Sequence, residues 1–219
     1  ALGNIIGSNI SNIGLVLGIM SLISTLTLLK HEIIWCFTPL LIVSFTFLIS
    51  IYVLKSFGII FGLFCIALLV IYSFIILNKK GKLMNDLEFD DNENILIFGR
   101  CFKITKIYKY IIVLTLGSLL LYIGTDLLIK SSKNIAEKIG ISDRVISITL
   151  VAIGTSLPEL FASIYSVIKS ELKMAVGNIL GSNIFNILAV LGLTSVFNTI
   201  TISNELRFDS LAMMIFTIL

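Results

Sequence analysis

The chain is poor in charge. Only 13% of its 219 residues are Asp, Glu, Lys or Arg, and 57% are hydrophobic, with a mean hydropathy of +1.07. A soluble domain usually carries about 25% charged residues. Charge is absent from the runs 1–29, 33–54, 57–77, 110–125, 145–158, 160–168 and 174–204. This composition excludes an ordinary soluble domain and favours lipid as the solvent.

The uncharged runs have the length of membrane spans. A helix needs about 20 mostly apolar residues to cross the hydrocarbon core, and the pattern predicts six full spans and a truncated seventh that starts near Asp209. The six are predicted at 2–28, 33–54, 57–77, 108–130, 143–168 and 173–197. The strand-and-turn pattern of a lipid-facing barrel is missing, so the predicted fold class is an all-α polytopic membrane protein.

Metal-binding cysteine motifs are also missing. Cys36, Cys65 and Cys101 lack the spacing of a metal site, and we interpret them as small apolar residues. Asp126 is predicted near the end of the fourth span, close to Lys130. We interpret it as a residue of the membrane interface rather than as part of an ion path.

One long segment is polar. Residues 78–109 hold seven Lys or Arg and five Asp or Glu, and this mixture of signs argues against binding to nucleic acid. We predict a cytoplasmic linker loop there, between a first half at 1–77 and a second half at 110–219. With this segment inside, the inside loops hold ten Lys or Arg and the outside loops six, as the positive-inside rule requires.

One phrase of sequence occurs twice. GNIIGSNISNIGLVLG at 3–18 and GNILGSNIFNILAVLG at 177–192 are identical at 12 of 16 aligned positions, 174 residues apart. The predicted spans that contain them are the first and the sixth, so the two copies cross in opposite directions and are related by a pseudo-two-fold axis. Inverted repeats are typical of secondary transporters, which bind substrate at the repeat interface near the midplane.

Each copy carries a polar stripe, because its Asn and Ser residues recur every four positions on one helix face. The stripe consists of Asn4, Ser8 and Asn12 in the first copy and of Asn178, Ser182 and Asn186 in the second. Two interpretations stay open for these side chains: hydrogen bonds between helices, and ligands of a substrate. For Gly177 and Gly181 we favour close helix packing.

A proline lies just ahead of the second copy, in AIGTSLPEL at 152–160. Pro158 has no N–H, and its ring crowds the carbonyl of Gly154. The motif therefore predicts that the helix breaks or unwinds around 152–156. Unwound backbone in a membrane is tolerated only where it is buried in protein or lines a wet cavity.

The same stretch contains oxygen ligands. The hydroxyls of Thr155 and Ser156, the carboxylate of Glu159 and freed carbonyls are the hard donors that Ca²⁺ prefers and that Na⁺ also accepts. A carboxylate within a span is costly and indicates a functional site. The alternative is a structural carboxylate bonded to a neighbouring helix.

Taken together, GTSLPEL and the following AVGNILGSNIFN resemble the second α-repeat, at 143–195, of the sodium/calcium exchangers of the cation/Ca²⁺ antiporter superfamily, in their prokaryotic form. The resemblance implies a Na⁺/Ca²⁺ antiporter that works by alternating access in the prokaryotic plasma membrane, with Ca²⁺, Na⁺ and lipid as its partners. It implies neither enzymatic chemistry nor a cofactor. The implied ion site consists of the carbonyl of Ala152 with Thr155, Ser156, Glu159, Ser182, Asn186, Ser8 and Asn12.

The chain departs from the family pattern in two ways. The family has a matching G-T-S-x-P-E helix before its first GN-x-x-GSN run, so we expect this chain to be a fragment that lacks the first part of the first α-repeat. Position 186 is Asn where some members have Asp, which bears on the charge of the site and on any need for K⁺. The alternatives are a Ca²⁺/H⁺ or K⁺-dependent exchanger, and a non-transporting or channel-like membrane fragment.

Overall fold

The computed structural model describes residues 2–25, 30–83, 94–97, 100–103, 107–140, 145, 149 and 151–219. The helices are α1 Leu2–Ile23, α2 Lys30–Val53, α3 Ile59–Leu83, α4 Ile107–Ile139, α5 Ala152–Ile168, α6 Leu172–Phe197 and α7 Asn204–Ile218. The strands form two short antiparallel pairs, β1 Ser56–Phe57 with β4 Ile200–Thr201 and β2 Asn94–Ile97 with β3 Arg100–Lys103.

The helical membrane fold predicted from the uncharged runs is confirmed. Leu2–Ile23, Ile59–Asn78 and Leu172–Phe197 are long and apolar enough to cross a membrane. Shorter apolar helices cover Phe37–Val53, Ile111–Gly124 and Ala152–Ile168. The predicted number of spans stays a prediction.

The paired strands show that α1 and α6 run in opposite directions. Only six residues separate α1 from α2, so the end of α1 and the start of α2 lie on one side. The 24 residues of α2 carry the chain about 36 Å away. There β1, which follows α2, pairs with β4, which follows α6. The ends of α1 and α6 therefore lie on opposite sides, as an inverted repeat requires.

Both prolines of the chain lie inside helices, Pro39 in α2 and Pro158 in α5. The predicted unwinding at 152–156 is wrong, because α5 is continuous from Ala152. Proline removes a single helical hydrogen bond, the one to the carbonyl of Gly154, and the remaining bonds keep the turn helical. Irregular π-helical backbone lies just earlier, at Thr149 and Val151.

Three predicted helix limits also need attention. The fourth helix does not end at residue 130 but continues to Ile139, and Asp126 forms an exposed ion pair with Lys130, with Nζ and Oδ2 2.7 Å apart. The last helix begins at Asn204 rather than near Asp209. The predicted start of the fifth span and much of the predicted linker fall outside the described residues.

The core gathers around α1 and α6. Ile6, Met20, Ile179 and Leu191 on these helices are fully buried, and α2 adds fully buried residues such as Phe47. Many large apolar side chains on α2, α3 and α4 are exposed, as expected for helices that face lipid. Of the two polar stripes, Ser8 and Asn12 are buried, whereas Asn4 and the three residues of the second stripe are half-buried.

Candidate ion-binding site

The two copies of the repeated phrase adopt the same backbone. In α1 the helix changes to a π-helical turn at Asn12–Leu17 and returns to an α-helix at Gly18–Ile23. In α6 the same change occurs at Asn186–Leu191 and Gly192–Phe197, 174 residues later at every boundary. Turns of this kind are rare and occur often at functional sites. The repeated sequence thus specifies a repeated irregularity.

A tight turn sets α5 against α6. Ser170 has a φ of 64°, and the Ser170 and Glu171 N–H groups donate to the carbonyls of Val167 and Ser166 at 2.9 and 2.8 Å. Residues equally far from such a turn face each other, because both helices rise equally per residue. The Asn178 Nδ2 accordingly donates to Ser163 Oγ at 3.3 Å.

The same geometry brings Glu159 level with Ser182, one helical turn further from the hairpin, where both side chains line the same pocket. The carboxylate oxygen Glu159 Oε2 is buried and has no hydrogen-bond partner among the described residues. A buried carboxylate that keeps an unpaired oxygen is costly. Such an oxygen is suited to a cation.

A polar pocket of about 340 Å³ lies at this point. It is lined by Glu159, Gly177, Asn178, Gly181, Ser182, Phe185 and Asn186. A Cβ added to Gly177 or Gly181 would meet no atom of the described residues within 4 Å, so the close helix packing that we predicted for these glycines is not seen in the part of the chain that the structure describes. Their missing side chains keep the pocket open. A larger apolar cavity of about 470 Å³ between α2 and α3 holds no charged residue and does not suit an ion.

A second cluster of predicted site residues joins α5 to α1. Ser8 Oγ lies 2.8 Å from Thr155 Oγ1, and the Thr155 hydroxyl is also 3.0 Å from the carbonyl oxygen of Ala152. Ser156 Oγ donates to the Ser8 carbonyl at 3.4 Å. Thr155 lies one turn before Glu159, on the same helix face. Hydroxyl and carbonyl oxygens that could bind a cation therefore extend from the pocket along α5 towards the first repeat.

Four asparagines connect the two repeats at their crossing. Asn12 Nδ2 donates to Asn183 Oδ1 at 2.8 Å, and Asn186 Nδ2 donates to Asn9 Oδ1 at 2.9 Å. Asn9 Nδ2 donates to the Asn183 carbonyl at 3.3 Å, and Asn183 Nδ2 donates to the Asn9 carbonyl at 3.2 Å. Asn183 and Asn186 are the equivalents of Asn9 and Asn12, 174 residues later. Each bond from the first repeat to the second therefore has an equivalent bond from the second to the first. The side-chain hydrogen bonds thus obey the pseudo-two-fold symmetry that the repeated sequence predicts.

The structure brings the predicted site residues into one continuous region. Asn9 and Asn183 were not predicted from the sequence, because each follows the serine of a GSN motif and lies outside the stripe that recurs every four residues. Their identity in both copies was the signal that could have found them. Within the described residues, no group of three His, Cys, Asp or Glu lies together. The region therefore offers one carboxylate among neutral oxygens.

Helices with inverted repeats that meet at a buried polar centre define a polytopic membrane transporter. The profile of the sodium/calcium exchanger protein family matches residues 1–78 and 109–219. The chain belongs to this family, whose members are transporters and not enzymes.

Individual relatives agree with this assignment. The chain is 34% identical to the putative antiporter CaxA of Alkalimonas amylolytica over 90% of its own length and 60% of the relative. It is 42% identical to the sodium/calcium exchanger MaX1 of Methanosarcina acetivorans over 40% of its own length and 25% of the relative.

Its structure resembles that of the sodium-calcium exchanger NCX_Mj soaked with Na⁺ and Ca²⁺, with a TM-score of 0.65 and 31% identity. This match covers 99% of the chain and 65% of NCX_Mj. The chain thus spans about 60% of the length of CaxA and a similar share of the solved exchanger.

Proposed function

We propose that the protein exchanges Na⁺ for Ca²⁺ across a membrane by alternating access. One observation carries the proposal: the half-buried Glu159 lines a polar pocket between α5 and α6 of the second repeat, and its buried Oε2 has no hydrogen-bond partner among the described residues. Family membership and the likeness to NCX_Mj support cation exchange. The identity of the transported ions is therefore argued from the residues of the site.

The donor set supports Ca²⁺ and Na⁺ as the transported ions. Both are hard cations that bind oxygen, and the region contains carboxylate, hydroxyl, amide and carbonyl oxygen but no thiolate or imidazole among its described residues. A divalent ion gains most from the single negative charge. Na⁺ can occupy the neutral positions around it, such as those of Thr155, Ser182 and Ala152, so the two ions compete for shared ligands.

The inverted repeats support alternating access. Two halves with the same backbone in opposite directions can exchange conformations, so that a central site opens to either side in turn. The reciprocal asparagine bonds between α1 and α6 support this symmetry, because each bond has an equivalent 174 residues away. Ions bound next to the crossing would be reached from one side at a time.

We further propose the prokaryotic plasma membrane as the location, with residues 78–109 on the cytoplasmic side. The Lys and Arg distribution supports this orientation, and CaxA and MaX1 come from prokaryotes. The proposed division into 1–77, the linker and 110–219 is supported by the interval between 78 and 109 that the family profile leaves unmatched.

The test is ion flux in vesicles that contain the complete protein. Vesicles loaded with Na⁺ and diluted into Na⁺-free medium with radioactive Ca²⁺ should take up Ca²⁺, and collapse of the Na⁺ gradient with an ionophore should stop the uptake. Uptake driven by a proton gradient alone, or only with K⁺ present, would replace the proposal with one of the alternative exchangers. Uptake that needs no counter-ion gradient would indicate a channel.

A further inference from the structure

Asn9 and Asn183 are buried at the crossing of α1 and α6, and neither lines the polar pocket. We propose that they are positioning residues: each holds the side-chain amide of a ligand residue in the other repeat so that its oxygen faces the ion. Asn9 acts on Asn186, and Asn183 acts on Asn12. This inference rests on the proposed function, because it assumes that a cation binds beside these amides.

The orientation originates in the backbone. A carbonyl oxygen only accepts hydrogen bonds, so the side chain that meets it must present its NH₂ group. Asn9 Nδ2 meets the Asn183 carbonyl, and Asn183 Nδ2 meets the Asn9 carbonyl. Because the two ends of a planar amide point apart, Oδ1 of each side chain must point away from that carbonyl. The backbone thus determines which end of Asn9 and Asn183 is available to the next residue.

That next residue is the ligand candidate of the opposite repeat. An Oδ1 atom only accepts, so it takes the NH₂ group of its neighbour: Asn9 takes that of Asn186 at 2.9 Å, and Asn183 takes that of Asn12 at 2.8 Å. The oxygen of each ligand amide is then the end left free. Asn12 Oδ1 is buried without a partner among the described residues, and Asn186 lines the polar pocket.

The free oxygens are the useful ends for a cation. An amide oxygen carries partial negative charge and its NH₂ group partial positive charge, so a flipped amide would repel the ion that the unflipped one binds. If the amide of Asn186 flipped, its Oδ1 would face Asn9 Oδ1, and the hydrogen bond would be lost because both oxygens are acceptors. A flip of Asn12 would do the same at Asn183 Oδ1. The ligand amides are therefore oriented before any ion arrives, and each repeat orients the ligand of the other.

Coupling between mutations tests this assignment. Asn9→Ala in the complete protein should raise the Ca²⁺ concentration for half-maximal uptake about tenfold, the size of one lost buried hydrogen bond, with a smaller change in maximal rate. In an Asn186→Ala background, Asn9→Ala should change that concentration less than twofold, because the amide on which it acts is gone. The pair Asn183 and Asn12 should behave in the same way.

The pairs Asn9 with Asn12 and Asn183 with Asn186 are matched controls. They lie in the same network but do not share a direct side-chain bond, so their coupling should be clearly smaller than that of the bonded pairs. Equal coupling in all four pairs, or additivity in all four, would overturn the positioning role and leave a general packing role. If the alanine variants do not fold, serine at 9 and 183 serves instead, since it is too short to hold the neighbouring amide.

A binding measurement separates this inference from the proposed function. The increase in melting temperature with Ca²⁺ or Na⁺ reports binding without transport. If the wild-type protein binds the ions but does not exchange them, the proposed function fails, while the same pairs of variants measured by melting still decide the positioning role. Wild-type protein that binds neither ion overturns the positioning role as well.

Discussion

The two copies of the repeated phrase share a backbone but not an environment. In α6, Ser182 lies beside Glu159 and lines the polar pocket, whereas in α1 the equivalent Ser8 is bonded to Thr155. Gly192 is packed against α3, with an added Cβ only 3.0 Å from Cys65 Cβ, whereas a Cβ at the equivalent Gly18 would meet no atom of the described residues within 4 Å. Within the described residues, equivalent side chains of the two copies therefore meet different neighbours.

The largest effect is expected at Glu159, the carboxylate that lines the polar pocket. Glu159→Gln should reduce Na⁺-driven Ca²⁺ uptake at least 100-fold, because the loss of a charge that offsets dehydration of a divalent ion costs about 3 kcal/mol or more. Gln keeps the size and one oxygen, so membrane insertion and the melting temperature without Ca²⁺ should stay near wild type.

Glu171→Gln is the matched control. Glu171 is an exposed carboxylate at the turn between α5 and α6, outside the pocket, and its neutralisation should leave uptake within about twofold of wild type, as surface changes usually do. Normal uptake by Glu159→Gln would show that this carboxylate is structural, the alternative interpretation of the motif.

The next effect concerns the charge at the end of the second stripe. Asn186→Asp should make exchange depend on pH or on an added monovalent cation, because a second carboxylate would line the pocket that holds Glu159 and like charges so close are unfavourable. The Asp would also lack the NH₂ group that Asn9 Oδ1 accepts. Wild-type exchange should be independent of K⁺.

The measurement is Na⁺-dependent Ca²⁺ flux from about pH 6 to 8.5, with and without K⁺, a range in which few other side chains titrate. Asn12→Asp provides the equivalent change in the first repeat. A mutant profile that overlays that of wild type, or wild-type flux that requires K⁺, contradicts this account of the charge balance.

A smaller effect should distinguish the two serines. Ser182→Ala removes a neutral hydroxyl oxygen from the pocket that Glu159 also lines and should weaken apparent Ca²⁺ or Na⁺ affinity about tenfold, the size of one polar contact to a charged group. Ser8→Ala removes a bond between two hydroxyls and should have an effect of about threefold at most. Thr155→Val tests the other member of that bond.

The ion concentrations for half-maximal flux measure these affinities. The maximal rate of each variant, measured in the same assay, shows whether its transport step is otherwise intact. Equal losses of apparent ion affinity in Ser182→Ala and Ser8→Ala would contradict the expected difference between the two serines.

The smallest effect is expected on stability rather than transport. Gly192→Ala should destabilise the protein by about 1–3 kcal/mol, the usual size for overpacking, because the new methyl group would press on Cys65 and on the Gly62 carbonyl. Gly18→Ala should be neutral or stabilising by up to about 1 kcal/mol, since alanine favours a helix and has room there. Thermal unfolding in detergent measures both, and an equal shift would contradict the packing difference.

Sequence reasoning succeeded where a pattern repeats along one helix. The uncharged runs, the inverted relation of 3–18 to 177–192 and the polar stripes all follow from periodicity, which a single helix displays in full. It did not give the end of α4, because the polar residues beyond the predicted span at 108–130 continue the helix to Ile139. It failed also at 152–156, because one proline removes one bond and the turn kept the others.

What the sequence by itself determined is local: helices with apolar surfaces, one carboxylate within an uncharged run, and a phrase that forms the same π-helical turn twice. What only the tertiary structure decided is which atoms meet. The hairpin turn at Ser170 brings Glu159 level with Ser182, and the crossing of α1 with α6 makes Asn9 and Asn183 partners across 174 residues. Hydrogen-bond partners so distant depend on how helices pack in three dimensions, and periodicity along one helix contains no information about its neighbour.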